Sequence, residues 1–421
     1  MKKKLIQIVY DMRTQPVVAW VTIIGTALSI FLIMTVMMMQ QVKIISIAPE
    51  SHRDRMLYGM FLHEAGISSD AENESSAGLS YETAKKLYDK LDGVEEISYV
   101  EQGWASLDLK GTNNKKFTGD VLYADDGIWR VFDYELLDGR YYTPEEVDAG
   151  TKVAVVSRST ARKLFDSEDA LGRRFELDHE TYEVIGMVAD VSKLTFMAYG
   201  EVFAPLDKSK TYGESDSDFG PYMTLMRVKD GVDLEDVRAQ VKKRYGELDA
   251  EIASRNMKTV YHGAPFDQET VAGGVGGSNI TPQDTNGLRI VIYLILLLVP
   301  AINLSSMLHS RLRRRVSELG VRRAFGCTRK RIMGDIIVEN LIVTVAGGII
   351  GFAVGVLFAL FYDGLYTSPD DETVRPALSM LLNWRILLSA FGACFILNIL
   401  SASVPAWQAS RLNPVEAINA K

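Results

Sequence analysis

His63 and Glu64 open the H-E-x-x-H pattern by which a helix holds zinc beside a general base. The position that needs the second histidine is Ile67. The five histidines are scattered without ligand spacing, and the two cysteines, Cys327 and Cys394, cannot make a zinc finger or a cluster. No G-x-x-x-x-G-K-[ST] cradles a nucleotide phosphate, and no G-x-S-x-G presents a nucleophile. The acids at Asp216/Asp218 and Asp370/Asp371/Glu372 read as solvated loop charge. The residue types therefore predict no catalytic group, no metal and no cofactor.

A different chemistry is concentrated in residues 309–333, which carry nine basic residues and one acid, Glu318. Among the charges stand Val316, Leu319, Val321, Ala324 and Phe325, with Gly320 and Gly326. A topology signal that touches lipid headgroups explains the charge. It does not explain two glycines and an embedded glutamate. A docking helix explains all three: apolar residues fill a groove and arginines pair with acids around it.

The elements that position this segment are membrane spans. The chain has 421 residues and a mean hydropathy of +0.04, an average over two populations. Residues 46–285 carry a formal charge of about −18 and the remainder about +10, with every long apolar run in the remainder. A span needs about 20 apolar residues, and four stretches supply them: Val17–Met39, Leu288–Leu308, Ile336–Tyr362 and Ile386–Val404. The first exceeds a secretory signal core and lacks an A-x-A site, so it reads as a retained anchor. A short interfacial helix is expected at 5–12, before Pro16. Lys2, Lys3, Lys4 and Arg13, together with the basic 309–333 loop, place both termini and that loop in the cytoplasm and 46–285 outside. In span three, Gly347, Gly351 and Gly355 recur every four residues and predict a close-packing helix face. Asn303 and Asn398 read as interhelical hydrogen-bonding groups.

The outer segment reads as α+β. Helices are expected at Ser80–Leu91, Thr160–Phe165 and Gly231–Leu248, the first capped by Ser80 and the last by Asp233. Strands are expected at Glu96–Glu101, Trp104–Leu109, Phe117–Ala124, Lys152–Ser157, Tyr182–Val188, Glu201–Pro205 and Met257–His262. Strand–helix–strand units occur twice, which suggests one or two split βαβ subdomains. Ala272–Ser278 holds four glycines and reads as a flexible link. The fold class is thus a four-helix membrane bundle, arranged one plus three, with an α+β extracytoplasmic domain. Its parts are 1–45, 46–285 and 286–421. The acidic outer domain excludes nucleic acid as a partner.

Glu318-Leu-Gly-Val-Arg-Arg-Ala-Phe-Gly326, followed by Thr328, Arg329 and Glu339, resembles the signature of the FtsX/MacB-type ABC permeases. Pro405-Ala-Trp-Gln-Ala-Ser-Arg-Leu-Asn-Pro414-Val-Glu-Ala-Ile418 is similar to that family's closing motif. The series Gly139-Arg140, Lys152-Val-Ala-Val-Val, Leu171-Gly172 and Tyr182-Glu-Val-Ile-Gly186 is similar to the MacB-like periplasmic core domain. The chain departs from MacB in lacking a fused ATPase and in having Cys327 where alanine is common.

The resemblance implies a non-catalytic permease subunit of the inner membrane, paired as a homodimer or with a related permease. It implies a separate ABC ATPase as partner and leaves room for a periplasmic adaptor. Residues 316–331 would be the coupling helix. Glu318, Arg322 and Arg323 would make its polar contacts, Gly320 and Gly326 its tight turns or close approaches, and Val321, Ala324 and Phe325 its apolar face, with Arg329 in the same segment. ATP-driven motion would be transmitted across the membrane for export or extraction, or, as in FtsX, for signalling to extracytoplasmic enzymes. A receptor or scaffold with no ATPase is the reading from another class.

Overall fold

The computed structural model describes residues 16–67, 74–103, 105–112, 116–212, 217–273 and 324–366, with residues 291, 321, 392, 396, 399, 400, 403 and 407. The expected helix at 5–12, nearly all of spans two and four, the link glycines Gly274, Gly276 and Gly277, and Glu318, Gly320, Arg322 and Arg323 lie outside the described residues.

In chain order the elements begin with α1 (Pro16–Ile44), β1 (Met56–Gly59), β2 (Leu62–Gly66), β3 (Glu74–Ala77), α2 (Tyr81–Tyr88), β4 (Val94–Glu101), β5 (Ala105–Lys110) and β6 (Lys116–Ala124). They continue through α3 (Ile128–Val131), β7 (Leu136–Gly139), α4 (Pro144–Asp148), β8 (Val153–Ser157), α5 (Arg158–Phe165), β9 (Arg174–Leu177) and β10 (Glu180–Val188). Then come β11 (Val202–Pro205), β12 (Tyr222–Val228), α6 (Leu234–Ile252), β13 (Met257–Thr259), β14 (Phe266–Asp267), α7 (Gln268–Ala272) and α8 (Arg329–Tyr366). They form two compact units, one built on Val42–Gly287 and one on Met1–Gln41 with Leu288–Asp363 and Arg375–Lys421.

Half of the outer unit is a split βαβ fold. β4, β12, β1 and β14 lie side by side, each pair antiparallel, with α2 joining β1 to β4 and α6 joining β12 to β14. Every residue of β1 is buried, as befits a strand covered on both faces. The Ser80 side chain accepts from the Thr83 N–H to start α2, and Asp233 accepts from Glu235 N–H to start α6. α6 buries Val237, Val241, Tyr245, Leu248 and Ile252, one stripe at helical spacing, into a core that includes Tyr58, Tyr88 and Leu225.

The other half is a closed six-stranded path, β11-β8-β10-β9-β5-β6, which returns on itself through a parallel β11–β6 pairing. Closure leaves none of these six as an open edge within the path. Its interior holds Val121, Ala154, Val156, Phe175, Val184 and Val202. β9 and β10 turn on Asp178 and His179, both at positive φ, the conformation a two-residue hairpin demands. The closure has no local sequence signal, because it pairs strands 81 residues apart.

One strand expectation needs correction. β13 ends at Thr259 instead of reaching His262, since Gly263 turns to φ +88° and the chain leaves the sheet. His63 stands on β2, in a separate three-stranded sheet β13-β2-β3, and so on no metalloprotease helix.

In the second unit, α1 and α8 are long helices, about 43 and 57 Å at 1.5 Å per residue. α8 begins at Arg329, well before the apolar boundary expected at Ile336. Nothing after Thr328 breaks a helix, whereas Gly326 sits at φ +89°. Among the described residues no helix is long and apolar enough to cross a membrane. The 29-residue sequence of α1 carries Lys43 as its one charge.

Candidate functional site

The described part of the basic segment is a turn leading into a helix. Val321 and Ala324 are helical, and Phe325 N–H donates to Val321 O at 3.1 Å. The chain reverses at Gly326, and Arg331 and Ile332 N–H donate to Thr328 O as α8 starts. Phe325 is 88% exposed, and Arg329, Lys330 and Arg331 are exposed around the same start. Phe325 thus leaves an aromatic ring in solvent near three exposed cations of the α8 start. Arg329, expected in the coupling segment, stands in the first turn of α8.

Further along α8, Gly347, Gly348, Gly351, Gly355 and Ala359 are buried in one row. A Cβ added at Gly355 would lie 3.5 Å from Met34 Cε of α1. One turn away Phe31 and Phe358 meet edge to face, ring centroids 5.7 Å apart at 81°.

The outer unit holds a buried ion pair that spacing did not reveal. Arg53 Nε donates to Glu50 Oε2 at 2.5 Å, with 1% of each side chain exposed. The rest of the guanidinium donates to Val42 O and Ile45 O at 2.9 Å and to Leu194 O at 2.8 Å. Glu50 Oε1 accepts from Met197 and Ala198 N–H, both at 2.9 Å. Val42 and Ile45 lie at the end of α1, where carbonyls lose their helical partners. Arg53 satisfies them and ties the helix end to the 192–198 loop.

A groove of about 650 Å³ lies against α6, lined among others by Glu235, Arg238, Tyr261, His262, Phe266 and Asp267. Arg238 spans it, donating to Asp267 Oδ2 at 2.9 Å and Pro265 O at 3.0 Å. At its rim His262 Nε2 is 2.9 Å from Glu74 Oε2, and His63 Nδ1 is 3.6 Å from the same oxygen. These are the described residues able to hold a metal. Sequence reasoning missed them because His63 and His262 are 199 positions apart. Burial, then the neighbouring His262, lowers the His63 pKa, and burial with nearby Asp218 pushes Glu64 up to about 7.

Comparisons with known proteins fall on both units. The family model described as MacB-like periplasmic core domain matches residues 19–244, and that described as FtsX-like permease C-terminal matches 290–414. The chain is 24% identical over 349 residues to the uncharacterized ABC transporter permease YknZ of Bacillus subtilis, covering 83% of this chain and 81% of that one. It is 24% identical over 355 residues to the macrolide export ATP-binding/permease protein MacB of Bdellovibrio bacteriovorus, covering 81% of this chain. It spans only 49% of that relative. Among solved structures, the periplasmic region of MacB from Actinobacillus actinomycetemcomitans is similar at 18% identity and a TM-score of 0.37, over 54% of this chain and 94% of that one.

Proposed function

The chain belongs to the family of ABC transporter permeases that join a MacB-like periplasmic core domain to an FtsX-like C-terminal region, and on that premise we propose that it is a membrane-spanning subunit worked by a separate ABC ATPase. Its relatives named MacB unite ATP-binding and permease parts, and this chain spans about half of their length. No phosphate cradle of the Walker type occurs in the 421 residues. In this reading the ATPase is a partner chain, and the part these 421 residues play is that of the permease.

The observation that carries the proposal is Phe325, solvent-exposed at the Gly326 turn beside three cations. In this reading the 309–333 segment docks in the ATPase: Phe325, Val321 and Ala324 enter a groove while Glu318, Arg322 and Arg323 pair around it. Four spans hold two such chains in the inner membrane with 46–285 outside. Nucleotide-driven motion of the docked segment moves the outer domain to export a substrate.

Affinity purification of the tagged chain from native membranes, with an ATPase assay on the eluate, tests this. An ATP-hydrolysing partner retained by the parent and lost from Phe325→Ala, and from the Arg322→Glu/Arg323→Glu pair, is the expected result. An intact ATPase complex in these variants, or no ATPase partner for the well-folded parent, overturns it.

A further inference from the structure

The three-stranded sheet of the outer unit carries a side-chain cluster that the permease reading does not use. His63 lies on β2 and Glu74 on β3, in a register that sets Ala65 opposite Glu74 and His63 opposite Ser76. Alternation along each strand then puts His63 and Glu74 on one face, diagonal to each other. Val260 N–H donates to His63 O at 2.8 Å and holds the exit of β13 against β2. Two residues on, His262 turns back over that face. Its ring centroid is 4.5 Å from that of His63, the planes at 78°.

Two nitrogens and one carboxylate oxygen thus converge. Glu74 Oε2 is 2.9 Å from His262 Nε2 and 3.6 Å from His63 Nδ1, and one ligand atom from each residue lies within 4.8 Å of the others. A tetrahedral metal with bonds near 2.1 Å sets its donors about 3.4 Å apart. Closing the cluster onto an ion needs movements of about 1.5 Å or less, within reach of side-chain rotation. A hydrogen bond between His262 and Glu74 accounts for those two residues alone. It leaves His63 Nδ1 buried with no hydrogen-bond partner. Buried polar atoms without partners are few in native proteins, and a bound ion is one of the recognised reasons for one.

We propose that His63, Glu74 and His262 form a binding site for a divalent transition metal of the zinc class. Two imidazoles and one carboxylate suit that class; calcium and magnesium take oxygen ligands, and copper(I) prefers sulfur. On binding, His262 turns its Nε2 lone pair to the metal and carries its proton on Nδ1. The ion joins the β2–β3 pair to the loop 260–265, adding to the bond from Val260 N–H to His63 O. It acts there as a clamp that fixes the rim of the groove beside α6. Nothing in this depends on whether an ATPase docks on residues 309–333.

The test uses the untagged full-length chain in detergent, stripped with a chelator and exchanged into metal-free buffer. Calorimetric titration with zinc chloride is expected to show one zinc per chain, and zinc is expected to raise the unfolding temperature. His63→Ala, His262→Ala and Glu74→Gln are expected to weaken binding by at least about tenfold, since even outer-shell partners of metal sites are worth about 10–100-fold. His179→Ala, an exposed histidine elsewhere, leaves it unchanged. Cobalt(II) in place of zinc gives the intense visible absorption of four-coordination in the parent and not in the variants. Glu74→Gln keeps a polar contact to His262, so it serves should a histidine variant unfold without metal. Absent stoichiometric zinc binding, equal affinity in folded variants, or a six-coordinate cobalt spectrum overturns the proposal.

Discussion

Glu50 and Arg53 form an ion pair at 2.5 Å with 1% of either side chain exposed, and both charges are enclosed by hydrogen bonds to two other segments, 42–45 and 194–198. Desolvating two charges is expensive, and the pair is tolerable because backbone groups occupy the remaining donors and acceptors. Removing one partner is another matter. Arg53→Ala strands a buried carboxylate and three carbonyls, and is expected to cost about 3–5 kcal/mol. Glu50→Gln/Arg53→Met, which removes both charges and keeps the volume, is expected to cost less than the sum of the single changes. Thermal unfolding of the four proteins in detergent checks this. Strict additivity would show that the pair is not coupled.

Gly139 and Gly186 sit directly opposite each other where β7 meets β10. A Cβ on Gly139 would fall 2.3 Å from Ile185 O, and one on Gly186 would fall 2.3 Å from Arg140 O. Both obstacles are backbone, which cannot swing aside, and Gly139 also holds φ +76°. Gly186→Ala and Gly139→Ala are each expected to destabilise the outer unit by about 1–3 kcal/mol. Gly103, at φ +73° with nothing within 4 Å of its Cβ, should cost less as alanine. Denaturation midpoints of the three variants rank them; equal values would refute the close-approach account.

That pair also marks what the sequence made legible. Gly139 and Gly186 stand out only through the resemblance to the MacB-like core domain, whereas the β-branched run Lys152–Val156 signals a buried strand locally. The caps Ser80 and Asp233, the stripe of α6 and the buried strand β8 are local in the same way. The closed six-strand path, the short β2–β3 hairpin and the Glu50–Arg53 pair arise from contacts between distant segments. His63 and His262 approach only because Gly263 bends the chain out of β13, and no spacing rule encodes that bend. Arg53 carried no signal at all: an arginine near acids reads as surface charge until its burial is seen.

Asp125 gives the outer unit a pH dependence. Burial pushes its carboxyl up to about 7, although Ser98 Oγ donates to it at 2.7 Å and Gly127 N–H at 3.1 Å. In an unfolded chain an aspartate titrates near 3.9. Between about pH 4 and 7 the folded protein therefore keeps a proton that the unfolded chain has released. The stability this contributes is complete below about pH 4 and is lost as pH rises through about 7. Unfolding temperatures at about pH 5 and about pH 8 should differ less for Asp125→Asn than for the parent. An unchanged difference would assign the dependence to other groups, Glu64 first, whose raised pKa has the same sign.

Gly355 and Met34 place a limit on side-chain size between α1 and α8. An added Cβ would meet Met34 Cε at 3.5 Å and Sδ at 3.9 Å, which is ordinary contact. Gly355→Ala is therefore expected to be neutral or to gain slightly from helix propensity. Gly355→Leu has no such room, since Met34 is 1% exposed and already packed. It should destabilise by about 1–3 kcal/mol, the range for overpacking a filled interior. Met34→Ala in the same chain opens the space and should recover part of that loss, while Met34→Ala alone leaves a cavity. Thermal unfolding in detergent of the single and double variants reads the coupling directly. Rescue of Gly355→Leu by Met34→Ala places the seam between these two residues, and failure to rescue would show that the leucine meets some other neighbour.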